Sequence, residues 1–222
     1  MKTLLKRFAV IAAVSGFAAP AAAATLTFDF QNGGLNGNGA YHDGYSATID
    51  DVTLNVTAGR YRAPHGHGND SIIDSDCSDG GCGFFGHRYV RQTNHGLGVD
   101  GWLDGSNTDG AFGNDLITFA FDRVVDFTSI VFTGIDWNDD FDLFIDGNLV
   151  SEENHIGYAN PFSLAAMSLT SGRSISFGAD GHYDNFRIGA ISVDVAPVPL
   201  PAGALLLLTG LLGFGALRRR NS

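Results

Sequence analysis

After its seventh residue this 222-residue chain contains no lysine. Glutamate is nearly missing too: Glu152 and Glu153 stand against 22 aspartates. Cysteine and tryptophan occur twice each. Uncharged apolar runs are confined to the two ends. These shortages exclude whole classes of function. Between residues 25 and 197, seven arginines face 24 acidic residues, a net charge of −17. Such a surface repels nucleic acid and anionic lipid, whose recognition needs basic patches. No nucleic-acid partner is therefore expected, and cations are favoured. Glutamate suits helices, whereas aspartate suits turns and caps, so the choice of acid points away from helix.

The apolar ends come with charged flanks. Lys2, Lys6 and Arg7 precede an apolar stretch from Phe8 to Phe17. Pro20 and the small residues Ala19 to Ala24 follow, and Ala22-Ala23-Ala24 fits an A-x-A cleavage site before Thr25. This is the pattern of a secretory signal peptide over residues 1–24. A membrane helix fits less well, because the apolar core is short and ends at a proline. At the other end, 203–217 is uncharged and leucine-rich. That is 15 residues, and counting back to Val198 gives 20, about the length a bilayer span needs. Arg218, Arg219 and Arg220 would stay on the cytoplasmic side.

A plain membrane anchor fits that tail, but the residues before it are more specific. Val198, Pro199, Leu200, Pro201 and Ala202 spell VPLPA. With the apolar run and the arginine cluster, residues 198–222 resemble the PEP-CTERM sorting signal in its VPLPA variant. The resemblance implies a transmembrane sorting helix held first in the inner membrane of a Gram-negative bacterium. It implies recognition by an exosortase, a membrane-embedded cysteine protease that cleaves near the motif. The destination implied is the cell surface or an extracellular matrix rich in exopolysaccharide. No activity of the exported body follows from it.

Residues 25–197 suffice for one ordinary domain, and their periodicity is that of strands. Leu26, Phe28 and Phe30 alternate with polar residues, as do Val52, Leu54 and Val56, and Ile117, Phe119 and Phe121. Phe141, Leu143 and Ile145 form another such face, and Ile175 and Phe177 a fifth. The run FRIGAISVDV changes phase near Gly189. Period two with one apolar face is the mark of half-buried strands. Asp146-Gly147 signals a hairpin turn, and 17 phenylalanines supply core volume. The expectation is an all-β, single-domain antiparallel β-sandwich or jelly roll. The segment 163–169, SLAAMSL, reads equally as a strand or a helical turn.

From about residue 59 to 113 the sequence is rich in Gly, Asp, Asn and His. This reads as a long loop region. It holds Cys77 and Cys82, which in an exported chain are expected to form a structural disulfide. Their C-x4-C spacing is not that of a redox motif.

Three clusters carry possible chemistry. Asp74 and Asp76 alternate and Asp79 follows three residues on in a glycine-rich turn, a pattern that suits either Ca²⁺ or a solvated acidic loop. No glutamate closes a 12-residue EF-hand loop. A second set lies near strand ends: Asp100, Asp104, Asp109, Asn114, Asp115, Asp136, Asn138, Asp139, Asp140 and Asp142. The order GLGVDG…DGAFGNDLITFAFD…DDFDLFIDG…FRIGAISV over residues 96–193 also resembles the β-sandwich bodies common among PEP-CTERM proteins. That implies architecture without a reaction. Crowded strand-end carboxylates repel one another unless a cation bridges them, so two roles stand for this set: Ca²⁺ ligands or turn formers. The third cluster is His65 and His67, with His87 and His95. Alternate histidines can share Zn²⁺, but no defined ligand spacing accompanies them, and loop histidines are the simpler reading.

The sequence contains no nucleophile elbow, no expected free cysteine to pair with histidine and no phosphate-binding glycine loop. The expectation is a non-catalytic surface or matrix protein that meets exopolysaccharide or other surface proteins. No cofactor is required, and Ca²⁺ is the one ion the aspartates suit. The alternative is a secreted polysaccharide hydrolase using aspartates of the 100–142 region. Two carboxylates facing each other across a groove lined by Trp102, Trp137 or Tyr45 would favour the enzyme. Convergence on one point would favour an ion.

Overall fold

The computed structural model describes residues 23–32, 41–63, 70–78, 82, 86–101, 105–110, 113–157, 160–165, 167, 170–181 and 183–196. Residues 1–22 of the signal peptide and the tail residues 197–222, Val198–Ala202 and Arg218–Arg220 included, lie outside the described residues. So do His65, His67, Asp79, Trp102 and Asp104.

Fourteen strands and no helix occur among the described residues. The chain enters through β1 (Ala24–Asp29), β2 (Tyr41–His42), β3 (Tyr45–Ile49), β4 (Val52–Arg62) and β5 (Ser71–Asp74). It continues through β6 (Arg88–Thr93), β7 (Gly96–Gly101), β8 (Thr108–Asp109) and the long β9 (Asp115–Thr133). It ends with β10 (Asp140–Ile145), β11 (Asn148–His155), β12 (Phe162–Ser163), β13 (Ser171–Ala179) and β14 (Asn185–Val195). All pairings are antiparallel, in the order β11-β10-β13-β9-β14-β7-β6-β2, with the other strands attached to β4, β9 and β14. Ala23–Ala196 form one compact unit.

The 19-residue β9 organises this body. Its first half, Asp115–Phe121, pairs with β4 on one side and β13 on the other. Its second half, from Asp126 to Thr133, pairs with β14 and β12. Side chains of the two sets meet in one core. Phe30 of the β1 end packs on Phe119 at 5.7 Å and edge-on to Tyr45 at 5.9 Å. Phe132 touches Phe141 at 5.0 Å, Phe186 at 5.4 Å and Phe177 at 5.8 Å. Every apolar face read from alternation is buried, and each such side chain contributes roughly 1.5–3 kcal/mol by leaving water.

Two local signals take the expected form. The phase change in β14 is a bulge, because the register with β9 jumps between Ile188 and Ala190. Asp146 and Gly147 both have positive φ, 49° and 76°, as a two-residue type I′ hairpin requires. In β10, however, burial is not one-sided. Asp142 and Phe144 are buried as well as Phe141, Leu143 and Ile145. Phe144 meets Tyr61 edge-on at 5.6 Å in a second, smaller cluster with Leu116. The segment from Ser163 onwards ends β12 and turns, with the Met167 amide donating to the Leu164 carbonyl.

The region 59–113 departs from its reading as a long loop. It holds the end of β4 and all of β5, β6, β7 and β8. Several of its described glycines serve close strand contact there. A Cβ at Gly96, where φ is +129°, would lie 2.3 Å from the Ile188 carbonyl oxygen, and one at Gly98 would lie 2.1 Å from that of Ser106. The inward residues are also polar: Arg88 and Gln92 are buried, so the apolar alternation that announces a strand is missing. Cys77 and Cys82 are bonded, with Cα atoms 5.3 Å apart. The Cys77 amide donates to the Ala58 carbonyl, which fixes this bridge to β4. Among the described residues no helix is long and apolar enough to cross a membrane.

Candidate metal centre

The antiparallel register of β10 and β13 pairs Asp142 with Gly178 and Leu143 with Phe177. Continued by two residues, it sets Asp140 across from Asp180. The chain then turns, with the Asp184 amide donating to the Gly181 carbonyl at 3.1 Å, and enters β14. Asp140, Asp180 and Asp184 thereby converge, each offering one carboxylate oxygen within 4.8 Å of the other two. Asp184 is buried and the other two are half-buried. Gly181 makes room for this, since a Cβ there would sit 1.8 Å from Asp184 Oδ2.

The shell behind the three carboxylates is buried and hydrogen-bonded. Asp139 is fully buried, and its carboxylate accepts from the Asn185 amide at 3.1 Å and from the Asp136 amide. Its carbonyl accepts from the Ile156 amide at 3.0 Å. One residue thus ties the turn before β10, the end of β11 and the start of β14. Asp142, beside the trio, accepts from the Tyr61 hydroxyl at 2.8 Å and the Glu153 amide at 2.9 Å.

No protein-family model, curated protein or solved structure matches the chain.

The electrostatics of the site favour a cation. Burial first, then the charges of Asp184, Glu153, Asp180 and Asp142, push the Asp140 carboxyl up to about 7. Asp70 is also pushed up to about 7, by burial and then by its hydrogen bond to Asp142. Burial is the leading cause that raises Asp139, Asp180 and Asp184. It also raises the Tyr61 phenol, followed by the charge of Asp142. Partly dehydrated like charges of this kind prefer a proton or a bound cation. Three carboxylates supply up to six oxygens, the donor type that hard divalent ions take.

The sequence candidates are distributed unevenly about this centre. Asp140 belongs to it and Asp142 adjoins it. Asp136 is exposed and Asn138 half-buried in the preceding turn. Asp115 is committed elsewhere: it is buried and paired with Arg88 at 2.5 Å, and its other oxygen accepts from the Asp109 amide at 3.3 Å. Asp109 lies in β8, and the next residue, Gly110, packs against the backbone of Asp180 and Gly181. Asp74 and Asp76 cap their own turn, accepting from the amides of Asp76 and Ser78 at 3.1 Å each. Among the described residues no histidine joins a metal group. His87 stacks on Tyr89.

Asp180 and Asp184 were not singled out in the sequence. Their signal was the stretch ADGHYDN between two apolar alternations, a D-G turn with a second aspartate four residues on. Trp137 is 75% exposed, whereas Tyr45 is buried and lines no groove. The three carboxylates lie within 4.8 Å of one another, an arrangement that could hold an ion.

Proposed function

We propose that the chain is an exported, non-catalytic cell-surface or matrix protein of a Gram-negative bacterium. A signal peptide over residues 1–24 directs export. An exosortase sorts the inner-membrane precursor through Val198–Ala202 and the arginine cluster. The body is a two-layered β-sandwich steadied by Ca²⁺ and in contact with exopolysaccharide or other surface proteins. The change of partners along β9 and the interleaved phenylalanine rings support the two layers.

The convergence of Asp140, Asp180 and Asp184 within 4.8 Å supports the ion in this reading, whereas export and sorting rest on the sequence of the two ends. The trio stands at the start of β14, and the described chain ends at Ala196 beyond the other end of that strand. Eleven residues of strand place those ends roughly 35 Å apart. The ion site therefore lies at the opposite end of β14 from Ala196. Ca²⁺ fits better than Mg²⁺, because Mg²⁺ demands a tight octahedron and resists dehydration.

The test is thermal melting of the full chain in detergent, in excess chelator and then in CaCl₂ or MgCl₂ at matched ionic strength. An ion that binds only the folded state stabilises it by about 2.7 kcal/mol at 100 times its dissociation constant. At about 2–4 °C per kcal/mol this is a rise of roughly 5–10 °C, larger for Ca²⁺. Equal melting in chelator and Ca²⁺ removes the ion. Replacing Pro199 and Pro201 by Ala should trap the precursor in the inner membrane; normal sorting of that variant would reduce the tail to a simple anchor. Polysaccharide cleavage by the purified chain, lost in Asp140→Asn, would replace the non-catalytic reading with the hydrolase.

A further inference from the structure

The end of the body that carries both termini has a charge problem. β1 pairs residue for residue with β14, Thr25 opposite Asp194. On the other side of β14, Asp194 stands opposite Asp126 of β9, and Asp126 stands opposite Ser171 of β13. Four strands therefore present the row Thr25–Asp194–Asp126–Ser171. Its two central carboxylates are cross-strand neighbours, an arrangement that destabilises a sheet. Hydroxyls serve them from both sides: Thr25 Oγ1 donates to Asp194 Oδ1 at 2.5 Å, and Ser171 Oγ donates to Asp126. Among the described residues neither carboxylate has an ion pair.

We infer that signal-peptide hydrolysis supplies the missing cation: the α-ammonium freed at Thr25 pairs with Asp194 and clasps β1 onto β14. The inference rests on the signal-peptide reading above. In the reaction, water adds across the Ala24–Thr25 peptide bond. The C–N bond breaks, Ala24 leaves as a carboxylate and the Thr25 nitrogen becomes an ammonium. Within a threonine the α-nitrogen and Oγ1 are about 3–4 Å apart, so the new charge lies within about 6 Å of Asp194 Oδ1.

The backbone is arranged to allow this. The Phe30 amide donates to the Gly189 carbonyl at 2.8 Å. Amides alternate in direction along an antiparallel strand, so those of even-numbered β1 residues face β14 and that of Thr25 faces away. Its conversion to an ammonium breaks no ladder bond of its own. Thr25 is exposed, so the new terminus stays hydrated. Anchorage begins at the next residue, because Leu26, Phe28 and Phe30 are buried. The uncut precursor carries a neutral amide at the same nitrogen and leaves the two aspartates unrelieved. Removal of the signal peptide is thus read directly into the strand that leads to the sorting tail.

The test uses the full chain from an exporting host, processed or left uncut by Ala22→Phe, each with Asp194 or Asp194→Asn. In the processed chain the substitution should lower the melting temperature by about 1–3 °C, the scale of one exposed ion pair. That loss should vanish as pH rises from 7 to 10, because an amine that gains an anionic partner gives up its stabilisation as it deprotonates. The groups facing this amine are Asp194 from β14 and Asp126 one strand further on β9; Asp29 lies on the same face of β1 but about 13 Å along the strand. From β3 the only titratable side chain is the buried Tyr45. In the uncut chain Asp194→Asn should raise the melting temperature or leave it unchanged. An equal loss in both chains overturns the pairing. The mass of the processed N-terminus separates the two readings: a start at another residue overturns the clasp and leaves export standing, whereas no processing at all overturns the signal peptide.

Discussion

The Tyr61 hydroxyl of β4 reaches over two intervening strands to donate a 2.8 Å hydrogen bond to Asp142 of β10. The ring passes above Gly178 of β13, where a Cβ would lie 2.4 Å from Tyr61 Cε1. Gly178, next to the last residue of β13, leaves the space that the Tyr61 ring occupies. Tyr61→Phe should keep the packing and lose the bond. A hydrogen bond to a charged group contributes about 1.5–3 kcal/mol, so the melting temperature should fall by roughly 3–12 °C. Gly178→Ala should be at least as damaging, since the ring has no room to lift. An unchanged melting curve for Tyr61→Phe would mean that the bond does not persist in solution.

The raised carboxyls set a pH dependence with a definite sign. Asp140 titrates near 4 when unfolded and is pushed up to about 7 in the folded chain. The folded state therefore holds the extra proton between those values. Stability from this group is complete below pH 4 and is lost as pH rises through 7. In excess chelator, the difference in melting temperature between the wild type and Asp140→Asn should move in favour of the variant from pH 5 to pH 8. Saturating Ca²⁺ should reverse that order at pH 8. A difference that does not change with pH would mean that Asp140 is ionised throughout.

Gly181 is expected to control the ion without touching it. Gly181→Ala puts a methyl group where Asp184 Oδ2 now lies, and the carboxylate must swing out. The Ca²⁺-dependent rise in melting temperature should disappear, while the melting temperature in chelator changes much less. A full Ca²⁺ response in this variant would remove Asp184 from the ligand set.

Asp115 should separate structure from ion binding. It forms a buried ion pair with Arg88, and breaking such a pair from one side costs about 3–5 kcal/mol. Asp115→Asn should therefore lower the melting temperature by at least 6 °C and leave the Ca²⁺ increment intact. Asp140→Asn should do the reverse. The two variants exchanging these behaviours would mean that the ion sits by β9.

By itself the sequence determined the kind of structure. Alternation at Leu26–Phe30 and Val52–Val56 is a local property of strands with one drier face, and at Ile117–Phe121 and Ile175–Phe177 it persists although both faces are largely buried, so the strands are written residue by residue. The Asp146-Gly147 turn is equally local, because it depends on backbone angles that few residues adopt, and the bulge at Gly189 shows as a change of phase in the alternation itself. The region 59–113 was not legible in this way. Its strand β6 buries Arg88 and Gln92 beside Val90, and several described glycines, Gly96 and Gly98 among them, mark close backbone contact rather than turns, so the apolar signal that defines a strand was broken.

The site was decided by the tertiary structure. Asp140 and Asp180 stand 40 residues apart in the chain and meet only because β10 and β13 pair in one register. A slip of one residue would turn Asp140 to the other face of the sheet. The sequence offered ten polar candidates at strand ends and no means of ranking them, since an aspartate that caps a turn and one that holds a cation share the same local pattern. Pairing, burial and the space left by Gly181 separate them. They assign Asp115 to Arg88 and Asp74 and Asp76 to their own turn, and they bring Asp140, Asp180 and Asp184 to one point.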